Sequence, residues 1–356
     1  MTSSSRPTES PALADGSLPA PVGTKVGTFV PAWWVPGAHA QTLWGKLAGR
    51  GDLPRGTIEA WDTPDGDFVQ IFRVAGPARS PRLLLLHGLE GGLDSHYARG
   101  IMQRAVGAGW SVDFLLFRGC GTEFNRAPRL YHSGETRDLD FVLRRVVAEH
   151  AGASIVLAGY SLGGNVLLKW LGEQGAVLPR AVRAAAAVSV PFDLSAGARY
   201  ISHGFSRIYE RHFLRTLRMK AARKLDQFPG LYDRGAAARA SSIYEFDEMV
   251  TAPLHGFAGA EDYYARSSSI RVLSNITLPT LLLSAYDDPF LPPESLASAA
   301  RIAAANPALT AAFSRRGGHV GFVAGAIPGV PHYYSEHRLM EFFGRHVGGD
   351  ASAARV

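Results

Sequence analysis

The sequence predicts an α/β fold, a mostly parallel eight-stranded sheet flanked by helices with an inserted helical cap. Three observations predict it. Short, wholly apolar runs such as Leu83-Leu84-Leu85-Leu86 and Ile155-Val156-Leu157-Ala158 alternate with helical stretches, the pattern of a parallel sheet covered on both faces. The pentapeptide Gly159-Tyr160-Ser161-Leu162-Gly163 follows one of these strands and opens onto the apolar segment Val166-Leu167-Leu168-Lys169-Trp170. Finally, the strand-helix rhythm stops between residues 191 and 278 and then resumes.

Size and composition set the frame. A chain of 356 residues with 46% apolar content can bury a large single core carrying an insertion. Its net charge of +6 comes largely from dispersed arginines, without a dense basic tract interleaved with aromatics, so a solvated basic surface is expected and no nucleic-acid partner. The single cysteine, Cys120, excludes an intramolecular disulfide and a cysteine-cluster metal site, and fits a reducing cytoplasm. No apolar run approaches the roughly 18 to 20 residues that span a bilayer.

In chain order, residues 1–28 are rich in Ser, Pro, Ala and Gly and read as a disordered tail. The segment from Phe29 to Thr42, with Trp33, Trp34 and His39-Ala40-Gln41-Thr42, reads as a strap whose aromatics plug onto the core, with a direct substrate role for His39 or Gln41 as the alternative. Thr57 to Trp61 and Phe68 to Val74 flank the turn Pro64-Asp65-Gly66-Asp67 and form a hairpin. Strands follow at 83–86, 110–117, 154–158, 182–190, 280–285 and 309–314, with helices over 97–108 and 137–150. The core is thus expected over 29–190 and 279–348, the cap over 191–278 and a frayed tail over 349–356. The cap's basic run, Arg211 to Lys224, carries Phe213, Leu217, Ala221 and Leu225 at helical spacing and could make peripheral contact with an anionic membrane. Its aromatics, Phe205, Tyr209, Phe213, Phe228 and Tyr232, either line a pocket or pack the cap on the core.

The pentapeptide has the form of a nucleophile elbow, in which glycines permit a strained turn that pushes the Ser161 hydroxyl out at a strand's end. A serine needs a base, and the base needs an acid to orient it. Asp287-Asp288-Pro289 follows the strand ending at Ala285, where α/β sheets keep their sites; Asp288 fits the acid best and Asp287 is the alternative. Gly317-Gly318-His319 follows the last strand and offers the base. The order Ser, Asp, His is that of α/β-hydrolases. His87-Gly88-Leu89 ends an earlier strand where that fold builds half of its oxyanion hole, so the main-chain N–H groups of Leu89 and Leu162 are assigned to the hole. His87 is expected to shape its turn and Cys120 to pack. The chemistry requires no metal and no organic cofactor.

Together, His39-Ala40-Gln41-Thr42, His87-Gly88-Leu89-Glu90-Gly91, Phe117-Arg118-Gly119-Cys120, Tyr131-His132-Ser133-Gly134-Glu135-Thr136, the elbow, Asp287-Asp288-Pro289-Phe290 and Gly317-Gly318-His319-Val320-Gly321-Phe322 resemble the YheT/EMB8 branch of the α/β-hydrolase superfamily, the AB hydrolase 4 family. The resemblance covers about residues 29 to 345. It implies an esterase or lipase-like carboxylic ester hydrolase, with Ser161, Asp288 and His319 matching the charge-relay positions and a small-molecule ester with an apolar acyl chain as substrate. A thioesterase or acyltransferase could use the same triad, and a non-catalytic lipid-binding protein is the reading from another class. No oligomeric state is read from the sequence.

Overall fold

The computed structural model describes residues 29–347, so the tails expected at 1–28 and 349–356 lie outside the described residues. After helix α1 (Gly37–Ala48), strands β1 (Thr57–Asp62) and β2 (Phe68–Val74) form the expected antiparallel hairpin. Strands β3 (Arg82–Leu86), β4 (Ser111–Leu116), β5 (Ile155–Tyr160), β6 (Val182–Val188), β7 (Thr280–Ala285) and β8 (Leu309–Ser314) complete an eight-stranded sheet. Its order is β1-β2-β4-β3-β5-β6-β7-β8. β2 joins β4 antiparallel, and every pairing from β4 to β8 is parallel.

Successive strand residues point to opposite faces and helices cover both, which is why these runs are apolar throughout rather than alternating. Leu84 and Leu86 face helices α3 (Arg137–Glu149) and α4 (Leu162–Gln174), whereas Leu83 and Leu85 face α2 (His96–Gly107) on the other side. All four leucines are fully buried. Each removes enough apolar surface from water to contribute roughly 1.5–3 kcal/mol.

Between β6 and β7 the chain is helical: α5 (Leu194–Ile201), α6 (Arg207–Gln227), α7 (Arg234–Arg239), α8 (Ile243–Phe246), α9 (Ala252–His255) and α10 (Ala260–Ser267). Then α11 (Pro293–Ala305) returns to the α3 and α4 face. A two-residue ribbon, β9 (Val323–Ala324) with β10 (His332–Tyr333), precedes α12 (Tyr334–Val347), which packs beside α2.

The strap differs in part from its expectation. Trp34 and Trp44 pack edge-on against each other at 4.8 Å, but Trp33 is 71% exposed, with its indole N–H donating to Ala326 O. The strap also continues into α1, which holds the histidine loop. Among the described residues no helix is long and apolar enough to cross a membrane.

Candidate active site

Ser161 lies at the junction of β5 and α4 with φ 51° and ψ −120°, a conformation that residues with side chains seldom adopt. Such strain costs on the order of 1–3 kcal/mol and persists where the surroundings over-determine it. Here the glycines let α4 approach closely. A Cβ on Gly163 would lie 2.4 Å from the carbonyl oxygen of His87, and one on Gly159 would lie 2.5 Å from that of Gly163. The Ser161 N–H donates to Val188 O at 2.8 Å, holding the turn to the neighbouring strand.

Asp288 and His319 meet as a pair. Asp288 Oδ2 is 2.8 Å from His319 Nδ1, while its Oδ1 accepts the Phe290 N–H at 2.8 Å. The carboxylate is 1% exposed and the histidine 8%. Asp287 does something else: its Oδ1 accepts the Gly318 N–H at 2.9 Å and so braces the histidine loop. Burial raises the Asp287 carboxyl above its ordinary pKa.

The turn after β3 presents one amide differently from its neighbours. The Gly88 N–H donates to the Tyr97 hydroxyl and the Glu90 N–H to the Tyr131 hydroxyl, each at 2.8 Å. Between them the Leu89 N–H, like that of Leu162 at the first turn of α4, donates to no other group among the described residues. The α4 dipole adds positive potential at the Leu162 end. Glu90, at φ 55°, is further held by Lys220 Nζ of α6, 2.8 Å from its Oε1.

His87 shapes its turn, as its place before Gly88 suggested. Its buried Nε2 accepts the Phe117 N–H at 3.1 Å, its Nδ1 donates to Gly88 O at 2.7 Å, and burial pulls its pKa down to about 4. Cys120 packs half-buried against Lys220, whose Nζ lies 3.0 Å from the sulfur, and burial pushes the thiol up to about 11. A thiol at that value is a poor nucleophile.

Three supports hold the site: Thr42 and Asn165, to which the sequence assigns no role, and Gln41, which it reads as part of the strap with a substrate role as the alternative. Thr42 Oγ1 accepts the His319 N–H at 2.9 Å and donates to Ala38 O at 2.7 Å. Gln41, fully buried, donates to Val35 O and Val323 O and accepts the Val323 N–H, tying α1 to the chain just past His319. Asn165 donates to Ser133 O and Ser267 O and accepts the Ser269 N–H, fixing α4 to two loops. The only hint was the polar residue inside an apolar motif. Gln41 therefore belongs to the strap, while His39 stacks on Tyr209 with its Nδ1 3.2 Å from that hydroxyl.

Ser161, Leu89, Leu162 and His319 line one cavity of about 680 Å³. The segment between β6 and β7 covers it with largely apolar side chains, including Ile201, Phe213, Leu217 and Val250. Of the five aromatics in question, Phe205, Tyr209 and Phe213 line this cavity. Tyr232 instead packs beside α6, its hydroxyl donating to Ala221 O, and Phe228 lies against Lys224. Among the described residues no group of three or more His, Cys, Asp or Glu is arranged to hold a metal.

Comparison with known proteins agrees with this architecture. Residues 81–322 match the profile of the α/β hydrolase fold family. The chain is 39% identical over 325 residues to YheT of Escherichia coli (strain K12), whose name carries an esterase designation; the alignment covers 88% of this chain and 92% of that protein. It is 32% identical over 249 residues to a mouse protein named phospholipase ABHD3, covering 70% of this chain and 60% of the mouse protein. The solved structure of the Pyrococcus furiosus esterase Pf2001 superposes with a TM-score of 0.53 at 15% identity, covering 83% of this chain and 92% of that one.

Proposed function

The chain belongs to the α/β-hydrolase family, in its YheT branch, and from that premise we propose that it hydrolyses carboxylic esters through Ser161, His319 and Asp288. The observation that carries the reading is the buried His319–Asp288 pair opening on the same cavity as a strained serine at a strand end.

His319, its Nδ1–H directed at Asp288, takes the hydroxyl proton of Ser161 on Nε2. The serine oxygen adds to the ester carbonyl, and the charge that develops on the carbonyl oxygen is met by the free N–H groups of Leu89 and Leu162. As the tetrahedral adduct collapses, the imidazolium gives its proton to the departing alcohol. Water then attacks the acyl-serine with the same histidine as base, releasing the acid and restoring the serine. The apolar lining of the cavity suits an acyl chain.

Ser161→Ala is the test. Purified wild-type protein should hydrolyse p-nitrophenyl esters and take up a fluorophosphonate label at Ser161, and the variant should do neither. Full hydrolysis by Ser161→Ala, or a wild-type protein inert to the label and to esters of every chain length, would refute the reading.

A further inference from the structure

The basic helix of the sequence has two unlike halves. Lys220 turns inward to Glu90 and Cys120, and Lys224 is fully buried, donating to Asn125 O and Ala127 O. Neither is available to a partner. The first half behaves differently: Arg207, Arg211 and Arg215 repeat at four-residue intervals, all exposed, and none has an ion-pair partner among the described residues. Beside them Phe205 is 52% exposed and Ile208 53%, and across from them on α1 Leu47 is 79% exposed next to the exposed Lys46.

This surface is also where the cavity opens. Among the residues lining the cavity, those exposed to solvent are Lys46, Gly49, Asp94, Phe205, Ile208 and His212. The mouth therefore runs between the end of α1 and the first turns of α6, with Asp94 as its one exposed acid. Apolar side chains left in water around a cavity mouth mark a site of association. Ringed by cations that lack counter-ions, they complement a surface that is apolar just beneath a layer of negative charge.

We propose that this rim seats on an anionic lipid surface, with Phe205, Ile208 and Leu47 entering the headgroup region and Arg207, Arg211, Arg215 and Lys46 facing the anionic headgroups. Seated there, the cavity takes an ester directly from the lipid layer. The seating stands on the surface alone; the delivery of an ester rests on the hydrolase reading above.

Each Lys or Arg near an anionic leaflet contributes about 1 kcal/mol, or roughly fivefold in partitioning. Arg207→Gln, Arg211→Gln and Arg215→Gln combined should thus weaken binding by roughly a hundredfold. The experiment is co-sedimentation with vesicles of phosphatidylcholine containing one-third phosphatidylserine, against pure phosphatidylcholine, at low and high salt. Wild-type and Ser161→Ala proteins should bind the anionic vesicles at low salt and leave them as salt screens the attraction. The triple variant should lose that binding and its hydrolysis of a long-chain ester embedded in the vesicles, while hydrolysing a soluble short-chain ester as wild type does. No binding by the wild type, or equal binding by the triple variant, overturns the proposal. So does a rim that takes up polyglutamate or DNA but leaves the vesicles unbound. Binding by a protein without esterase activity would leave the seating intact and overturn the hydrolase reading instead.

Discussion

The two adjacent aspartates offer a sharp separation of roles. Asp288 holds His319 Nδ1 at 2.8 Å through one oxygen and the Phe290 N–H at 2.8 Å through the other, in a site with 1% exposure. An asparagine there cannot satisfy both. With its oxygen toward the Phe290 N–H, its amide N–H meets His319 Nδ1 and makes that nitrogen an acceptor, which forces the proton onto Nε2. His319 is then unable to take a proton from Ser161. Turned the other way, the amide opposes the Phe290 N–H donor to donor. The wrong tautomer at this position of a serine triad lowers kcat by about 10⁴, or about 5.5 kcal/mol of transition-state stabilisation.

Asp287→Asn should behave otherwise. Asp287 accepts the Gly318 N–H at 2.9 Å, and an amide oxygen accepts it as well. The exchange also removes a charge that burial disfavours. We expect kcat to change by less than about threefold, since no hydrogen bond to His319 is lost. The assay is steady-state hydrolysis of p-nitrophenyl butyrate by both variants, with thermal melts to establish that each is folded. An Asp288→Asn protein keeping more than a tenth of wild-type kcat, or an Asp287→Asn protein falling as far, would refute the assignment.

Two further outcomes follow from the supports. Thr42→Val removes the acceptor of the His319 N–H and leaves a partly buried donor unpaired, at a cost of about 1–3 kcal/mol; kcat should fall about tenfold, whereas Thr42→Ser should keep it, and equal kinetics in the two variants would remove Thr42 from the positioning of the base. Asp247 is buried, accepts from Thr251 and Tyr264 hydroxyls at 2.6 and 2.8 Å, and has its carboxyl raised by burial from 3.8 to about 6. The folded state therefore holds this proton more tightly than the unfolded chain does, and stability from this group falls as pH rises from about 4 through about 6, by on the order of 3 kcal/mol. Asp247→Asn should match wild type near pH 4 and exceed it above neutrality in urea unfolding; parallel pH profiles would contradict this.

What could be read in the sequence follows from where the chemistry stands. Ser161, Leu89, Asp288 and His319 each stand just beyond a strand whose apolar run is a strong local signal, so finding the strands nearly finds the site. The supports carry no such signal, because their partners are remote in the chain. Gln41 answers to Val323, 282 residues on, and Thr42 to His319, 277 residues on. The segment containing them reads as an aromatic strap, since Pro36 precedes α1, Gly37 opens it and no regular apolar stripe marks it as a helix.

Helix α6 is the opposite case, where the helix and its apolar stripe are evident but the inward turn of two of its lysines is not. Burying an ammonium group is costly unless it is fully paired, so Lys220 and Lys224 read as surface residues. The acceptors that reverse this, Glu90 Oε1 for one and Asn125 O and Ala127 O for the other, come from loops about 100 residues or more earlier. Those contacts turn the lysines under the helix and leave its outer stripe to Arg207, Arg211 and Arg215. The same acceptors that draw Lys220 and Lys224 inward thus decide which cations remain to face a partner: helical spacing places the two lysines on the side of Phe213 and Leu217, about opposite Arg207, Arg211 and Arg215, but only the remote acceptors make burial of two ammonium groups on that side favourable.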